Sequence, residues 1–327
     1  MPVEAGIVPI AAERRPPLPG AGARHGVSLD LPLPPAVLLS LGIGLGATAL
    51  LPAGAATLAA LAAVILLGIP HGALDSEVAR PLLRPRFGWA WFAAFAIPYL
   101  ALSAAVLLAW RAAPEAVLAA FLVASVLHFG LEDAGSGRPM EALARGGLPV
   151  AVPVLVRPAA VADFFGMVTL TPMPVVPPWL AAGATAWLLF LPLAVAAMLR
   201  SRRWGAVGET ALLSLSFAVL PPPTAFALYF VGLHAPRHMA ALAADPVRAP
   251  RVRNVADAVR RSLPVTGLTL LLGAALWPLF PGPPAERLLA MTLQGLAALT
   301  LPHLLLHFVA SEDADAARRR THTPWAR

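Results

Sequence analysis

The sequence predicts an all-α fold: a polytopic integral-membrane helical bundle of about 8–10 transmembrane helices, with kinked helices around a central histidine layer. Three observations carry this. First, 58% of the 327 residues are hydrophobic and 13% are charged, against ~25% charged in a soluble domain. Second, mean hydropathy is +0.74, and the apolar residues fall in runs near the ~20 residues that span a bilayer. Third, nothing alternates apolar and polar as a membrane β-barrel strand would, whereas helices satisfy their own backbone hydrogen bonds in lipid.

The chain opens with a mixed segment, 1–30, containing Pro, Gly, Glu13, Arg14, Arg15, Arg24 and His25. It reads as a mobile cytoplasmic tail, without the basic start, apolar core and small-residue cleavage site of a signal peptide. The membrane bundle then occupies 31–310, and a basic cytoplasmic tail occupies 311–327. Apolar segments lie at 34–51, 54–72, 88–110, 114–131, 142–157, 179–199, 207–221, 224–243, 263–281 and 287–309. Two are weak: 142–157 is short with Pro149 and Pro153, and 207–221 is short. Either reads as spanning or re-entrant. Residues 158–178 read as an ordered outer loop or re-entrant piece.

Arginine placement tests the count. There is no lysine. With ten spans, one side collects Arg14, Arg15 and Arg24, then Arg80, Arg84 and Arg86, Arg138 and Arg145, Arg200, Arg202 and Arg203, the group Arg248–Arg261, and Arg318–Arg320 with Arg327. The other side keeps little beyond Arg111, Arg157 and Arg287. The positive-inside bias therefore puts both termini in the cytoplasm and argues against a nucleic-acid patch. The chain has no cysteine, which removes disulfides, thiolate metal sites and cysteine catalysis.

Six of the eight histidines lie in or beside membrane segments; His25 and His322 sit in the tails. His71 ends the second segment and His128 the fourth. His234 and His238 are in the eighth, and His303 and His307 in the tenth. All four segments run from outside to inside and carry their histidines in the cytoplasmic half, so the imidazoles converge at one depth. An ionisable residue at membrane depth is a functional-site hypothesis by default. Each of these helices also offers a second group at i+4, on the same face: Asp75 after His71, Glu132 after His128, and the paired histidines. Asp75 and Glu132 read either as partners for imidazole N–H groups or as interface residues pairing with Arg80 or Arg138. His307 is placed nearer the cytoplasmic interface, outside the shared site. Pro70, Pro236 and Pro302 flank the histidines, predicting kinks beside a cavity. Tyr229, Phe230, Phe129 and Met239 flank the layer too, as tunnel lining or as packing. Arg237 reads as a lipid-headgroup or carboxylate partner.

Neutral imidazoles without thiolate suit Fe(II), Zn(II) or Cu(II). An open all-nitrogen iron site embedded in a bilayer favours O2 chemistry on an isoprenoid, sterol or fatty chain. Zinc hydrolysis lacks an H-E-x-x-H motif. A bis-histidine haem protein and a transporter using the same histidines are the alternatives.

The ordered set Pro70-His-Gly-Ala-Leu-Asp75, Leu127-His-Phe-Gly130, Tyr229-Phe…His234-x-x-Arg-His238 and Leu301-Pro-His303 resembles the bacteriorhodopsin-related Brp/Blh family of β-carotene 15,15′-dioxygenases. The resemblance implies an iron-dependent integral-membrane enzyme of the bacterial inner membrane. Such an enzyme cleaves the central double bond of β-carotene with O2 into two retinal molecules and often supplies a rhodopsin. It implies Fe(2+) on His71, His128, His234 and His238, with His303 behind the ligands or facing the substrate; Asp75, Glu132 and Tyr229 are placed in the same supporting or substrate-facing positions by their spacing.

Overall fold

The structure, a computed structural model, describes residues 35–135 and 137–321. Each of the ten apolar segments is helical, and no strand occurs among the described residues. The helices are α1 (Pro35–Leu50), α2 (Ala53–Ala63), α3 (Ile69–Ala73), α4 (Asp75–Phe87), α5 (Trp91–Ala112), α6 (Pro114–Ala134), α7 (Pro139–Val156) and α8 (Pro158–Thr169). They continue with α9 (Pro178–Arg200), α10 (Trp204–Val219), α11 (Pro222–Tyr229), α12 (Ala235–Ala243), α13 (Val255–Leu276) and α14 (Pro284–Thr321). The tail over 1–30, His25 and His322 lie outside the described residues. In the basic C-terminal segment, α14 continues unbroken to Thr321.

Among the described residues, six helical runs are long and apolar enough to cross a membrane, and three shorter apolar helices accompany them. The chain is a multi-pass membrane protein. One run covers 60 residues, Ala53–Ala112, about 90 Å at 1.5 Å per residue, far more than a ~30 Å hydrocarbon core. It turns back between α4 and α5. The Tyr99 hydroxyl on α5 donates to Asp75 Oδ2 on α4 at 2.9 Å, and the Arg80 guanidinium lies over the Trp91 ring.

Two open readings gain detail. Residues 158–169, expected within an outer loop or re-entrant piece, form a regular helix. Pro158 begins it, where a missing N–H costs nothing, and Val161, Phe165 and Val168 bury one face in the main core. The weak segment 142–157 is an 18-residue helix and has the largest buried share of the six runs. Its Gly, Pro and charged residues are tolerated because protein, not lipid, surrounds it. α6 and α7 cross at backbone distance: a Cβ on Gly130 would strike the Ala142 carbonyl, and one on Gly146 the Val126 carbonyl. Small residues permit such close crossings in membranes. This crossing sets the position of α6, which carries His128, Glu132 and Asp133.

The proline kinks take a specific form. Val64–Gly68 and Phe230–His234 are five-residue π-helical turns. Pro70 and Pro236 each follow one closely, within the first two positions of α3 and α12. A proline cannot bond the carbonyl four residues back and clashes with it. Those carbonyls belong to Leu66 and Gly232, inside the two turns. The wider turn lets the chain bond five residues back instead: Ile69 N–H to Val64 O, and Ala235 N–H to Phe230 O. The two turns pack against each other, with the Phe230 ring seated where a Cβ on Gly68 would lie. Pro302 does not interrupt α14.

Candidate metal centre

The two π-turns deliver histidines to one place. His71 lies one helical turn beyond the first, and His234 ends the second. α6 brings His128, α12 brings His238, and α14 brings His303 and His307. Ring centroids of His71 lie 5.6, 5.4 and 5.9 Å from those of His234, His238 and His303. Those of His128 lie 5.0 and 5.1 Å from His234 and His303. His238 lies 5.4 Å from His303. All five are buried. The five histidines expected at one depth thus form one cluster. His307 belongs to it, 4.4 Å from His303 and 5.0 Å from His238. Its expected place outside the site is corrected: α14 stays helical past Pro302, so the residue at +4 returns to the same face.

The carboxylates are part of the site. Asp75 is buried, and both its oxygens lie against His303 Nδ1, at 2.9 and 3.0 Å. It also meets His307 Nε2 at 3.1 Å. Glu132 Oε1 accepts from His238 Nδ1 at 2.9 Å, and Glu132 Oε2 lies 3.6 Å from His234 Nε2. The i+4 spacing therefore put each acid at the right depth: Asp75 serves histidines of another helix, while Glu132 bonds His238 and also lies 3.9 Å from His128 on its own helix. His71 Nδ1 instead donates to the Gly68 carbonyl at the end of the first π-turn. Asp75 and Glu132 make no pair with Arg80 or Arg138.

Several imidazole nitrogens are buried without a hydrogen bond. Both nitrogens of His234 and Nε2 of His238 and His303 are buried without a hydrogen-bond partner. Buried polar atoms are otherwise almost always paired. One nitrogen each from His71, His128 and His303 falls within 4.8 Å of the others, as does one each from His238, His303 and His307; a carboxylate oxygen of Glu132 forms a third such group with one nitrogen each from His128 and His234. A donor set of neutral imidazoles, several held at the far nitrogen by a carboxylate or carbonyl, fits a first-row metal ion.

The surroundings are apolar and aromatic. Phe230 stacks on His234 at 5.6 Å, and Phe129 meets it edge-on at 4.7 Å. Phe230 also meets His71 edge-on at 5.1 Å. Met239 packs with Leu74, Val78 and Leu242 in a smaller core at this end. Tyr229 is buried, and its hydroxyl donates to Asp133 Oδ2 at 2.8 Å.

That bond leads into a buried ionic network that the sequence reading missed. Arg237 binds both oxygens of Glu209 at 2.7 Å and lies 3.6 Å from Asp133. Arg145 bonds Glu141 at 3.1 Å and also bonds Glu209. Arg203 grips both oxygens of Glu141 at 2.7 and 2.9 Å. Three guanidiniums thus balance three carboxylates. Arg237 is a carboxylate partner, one of the two roles its sequence position suggested. Glu141 with Arg145 at i+4 in an apolar segment was the available signal.

The sequence model of one family, described as beta-carotene 15,15'-dioxygenase, matches residues 62–309. A relative from Halobacterium salinarum, named as a probable beta-carotene 15,15'-dioxygenase Blh, is 32% identical over 285 residues, covering 75% of this chain and 81% of the relative. A beta-carotene 15,15'-dioxygenase from an uncultured marine bacterium, 66A03, is 28% identical over 262 residues, covering 76% of this chain and 91% of the relative. No solved structure matches. The family match spans every helix that supplies a histidine to the cluster, and the chain belongs to the β-carotene 15,15′-dioxygenase family.

Proposed function

We propose that this chain is a membrane dioxygenase that splits the central 15,15′ double bond of β-carotene, or of a related carotenoid, with O2 to give two molecules of retinal. The observation that carries this is the buried imidazole cluster, with its unpartnered nitrogens, inside a chain of this family. His71, His128, His234 and His238 would hold a non-haem Fe(2+). When bound, the iron supplies O2 binding and activation beside the polyene.

The protein's own groups do the rest. Gly68 O and Glu132 take the Nδ1 protons of His71 and His238, which leaves Nε2 of each ring with its lone pair directed elsewhere. Phe129 and Phe230 cover His234 and exclude water from it. Asp133 holds the Tyr229 hydroxyl, so Tyr229 braces the site from behind. A bilayer location matches a lipid-soluble substrate, which enters without crossing water.

The arginine bias supports an inner-membrane orientation with both termini cytoplasmic. Arg251 and Arg261 meet Glu77 at 3.5 and 3.9 Å, so two arginine-rich segments share one end of the bundle. A rhodopsin is a fitting consumer of the retinal. The domain reading follows: one membrane unit over 31–310 between two cytoplasmic tails.

The test is expression in a host that accumulates β-carotene. Retinal should appear as carotene falls, the purified protein should carry iron, and it should show no Soret band. A folded, iron-loaded protein that leaves carotene intact would sink the substrate assignment.

A further inference from the structure

Beyond the four histidines of the family pattern, we propose that His303 is itself a ligand of the metal, and that His307, one turn further along α14, is the residue that holds its support in place. This rests on the metal reading of the cluster.

The proton positions follow from the one group whose direction is fixed. A guanidinium only donates. Arg248 Nη2 bonds His307 Nδ1, so that nitrogen accepts, and in a neutral imidazole the proton is then on Nε2. His307 Nε2 donates to Asp75 Oδ1 at 3.1 Å. The Tyr99 hydroxyl donates to Asp75 Oδ2 at 2.9 Å. Asp75 is the acceptor of this network, and His303 Nδ1, 2.9 and 3.0 Å from its two oxygens, is the third donor. That leaves the lone pair of His303 on Nε2.

Nε2 of His303 is buried and has no hydrogen-bond partner. The His303 ring packs 5.9 and 5.1 Å from those of His71 and His128, and one nitrogen from each of these three residues lies within 4.8 Å of the others; with Nδ1 held by Asp75, Nε2 is the nitrogen left for an ion. Two metal–nitrogen bonds of ~2.1 Å span at most ~4.2 Å, so nitrogens this close are spaced for one shared ion. His71 and His238 show the same arrangement, with Nδ1 bound to an acceptor. His303 has the most elaborate support of the set. A carboxylate behind a ligating imidazole fixes its orientation and raises its basicity. His307 differs: both of its nitrogens are occupied, by Arg248 and Asp75. Proximity alone would allow His238, His303 and His307 as a ligand set; the bonding pattern excludes His307.

The experiment uses the full-length protein purified in detergent and Co(II) alone as the probe, without carotenoid. Affinity is read by chelator competition and the ligand set by the visible ligand-field bands. In His303→Ala the bands should shift, and affinity should fall by more than the ~10–100-fold typical of outer groups. In His307→Gln, affinity should fall by about 10-fold, within that range, with the bands unmoved. Wild-type bands in His303→Ala, or shifted bands in His307→Gln, overturn the assignment. If His303→Ala does not fold, X-ray absorption of the iron-loaded wild type decides. Five imidazoles support the proposal, and four overturn it. A wild type that binds no metal defeats the metal reading itself. A protein that binds metal through His303 but leaves β-carotene whole defeats only the substrate reading.

Discussion

Gly146→Ala is the sharpest probe of how the bundle holds its histidine cluster. A Cβ at Gly146 would overlap the Val126 carbonyl oxygen and lie 2.8 Å from Gly130 N and 2.9 Å from Gly130 Cα. All three are backbone atoms of α6, so no side chain can swing away. Ordinary contact begins near 3.4 Å. Relieving the Gly130 N contact alone needs 3.4 less 2.8, or 0.6 Å, and the carbonyl needs more. A functional constellation tolerates about 0.5 Å of displacement, and α6 carries both His128 and Glu132. Overpacking of this kind costs about 1–3 kcal/mol. The expected result is a protein that inserts and folds with a lowered melting temperature and reduced metal per chain. Gly183→Ala, on α9 with nothing within 4 Å, is the control. There the same change gains about 1 kcal/mol of helix propensity at most and leaves metal loading alone. If Gly146→Ala melts and loads metal like Gly183→Ala, the close crossing of α6 and α7 is wrong.

Three further outcomes are expected. Glu209→Ala leaves Arg237 and Arg145 short of a partner and should destabilise the protein by about 3–5 kcal/mol, as breaking buried pairs does; a thermal-melt difference below about 1 kcal/mol would contradict a tightly coupled network. Tyr229→Phe removes one hydrogen bond to Asp133, worth about 1.5–3 kcal/mol to a charged acceptor. It should lower stability while KM for the carotenoid stays put, and a KM change at unchanged stability would make Tyr229 a substrate contact. Pro236→Ala returns an N–H to the Gly232 carbonyl. The π-turn should tighten toward α-helix and turn His234 away by up to ~100°, giving less metal per chain in a protein at least as stable; full metal loading would mean that the proline does not impose the turn.

Much of this architecture can be read from the chain because lipid imposes one rule everywhere. Apolar length marks the helices, and arginine marks one end of the bundle. His71, His128, His234, His238 and His303 stand out because ionisable groups in such segments need a reason. What escapes the sequence is pairing across helices. Asp75 sits one turn from His71, and the sequence left open whether it served an imidazole or an arginine; its carboxylate serves His303 at 2.9 Å, 228 positions away. His307 looked peripheral because depth was judged along the helix and not around it. Segment 142–157 read as either spanning or re-entrant because hydropathy measures fitness for lipid, whereas much of α7 is packed against protein. Pro70 and Pro236 announced irregular helix, but whether a proline yields a bend or a π-turn depends on what packs opposite it. Here that is the other turn.

The ionic network also bears on how the protein is made. An arginine at mid-span adds ~2.5–3.5 kcal/mol to the insertion of a helix on its own. α7 leaves the ribosome with Glu141 and Arg145 already able to pair within the helix. Glu209 follows Arg145 after 64 residues, and Arg237 follows Glu209 after another 28. Each newcomer carries a charge that matches one already waiting. Each charge after the first thus has an opposite charge already made when it is added, so the order of translation is also an order of neutralisation. The segment that completes the charge balance is the one bearing His238.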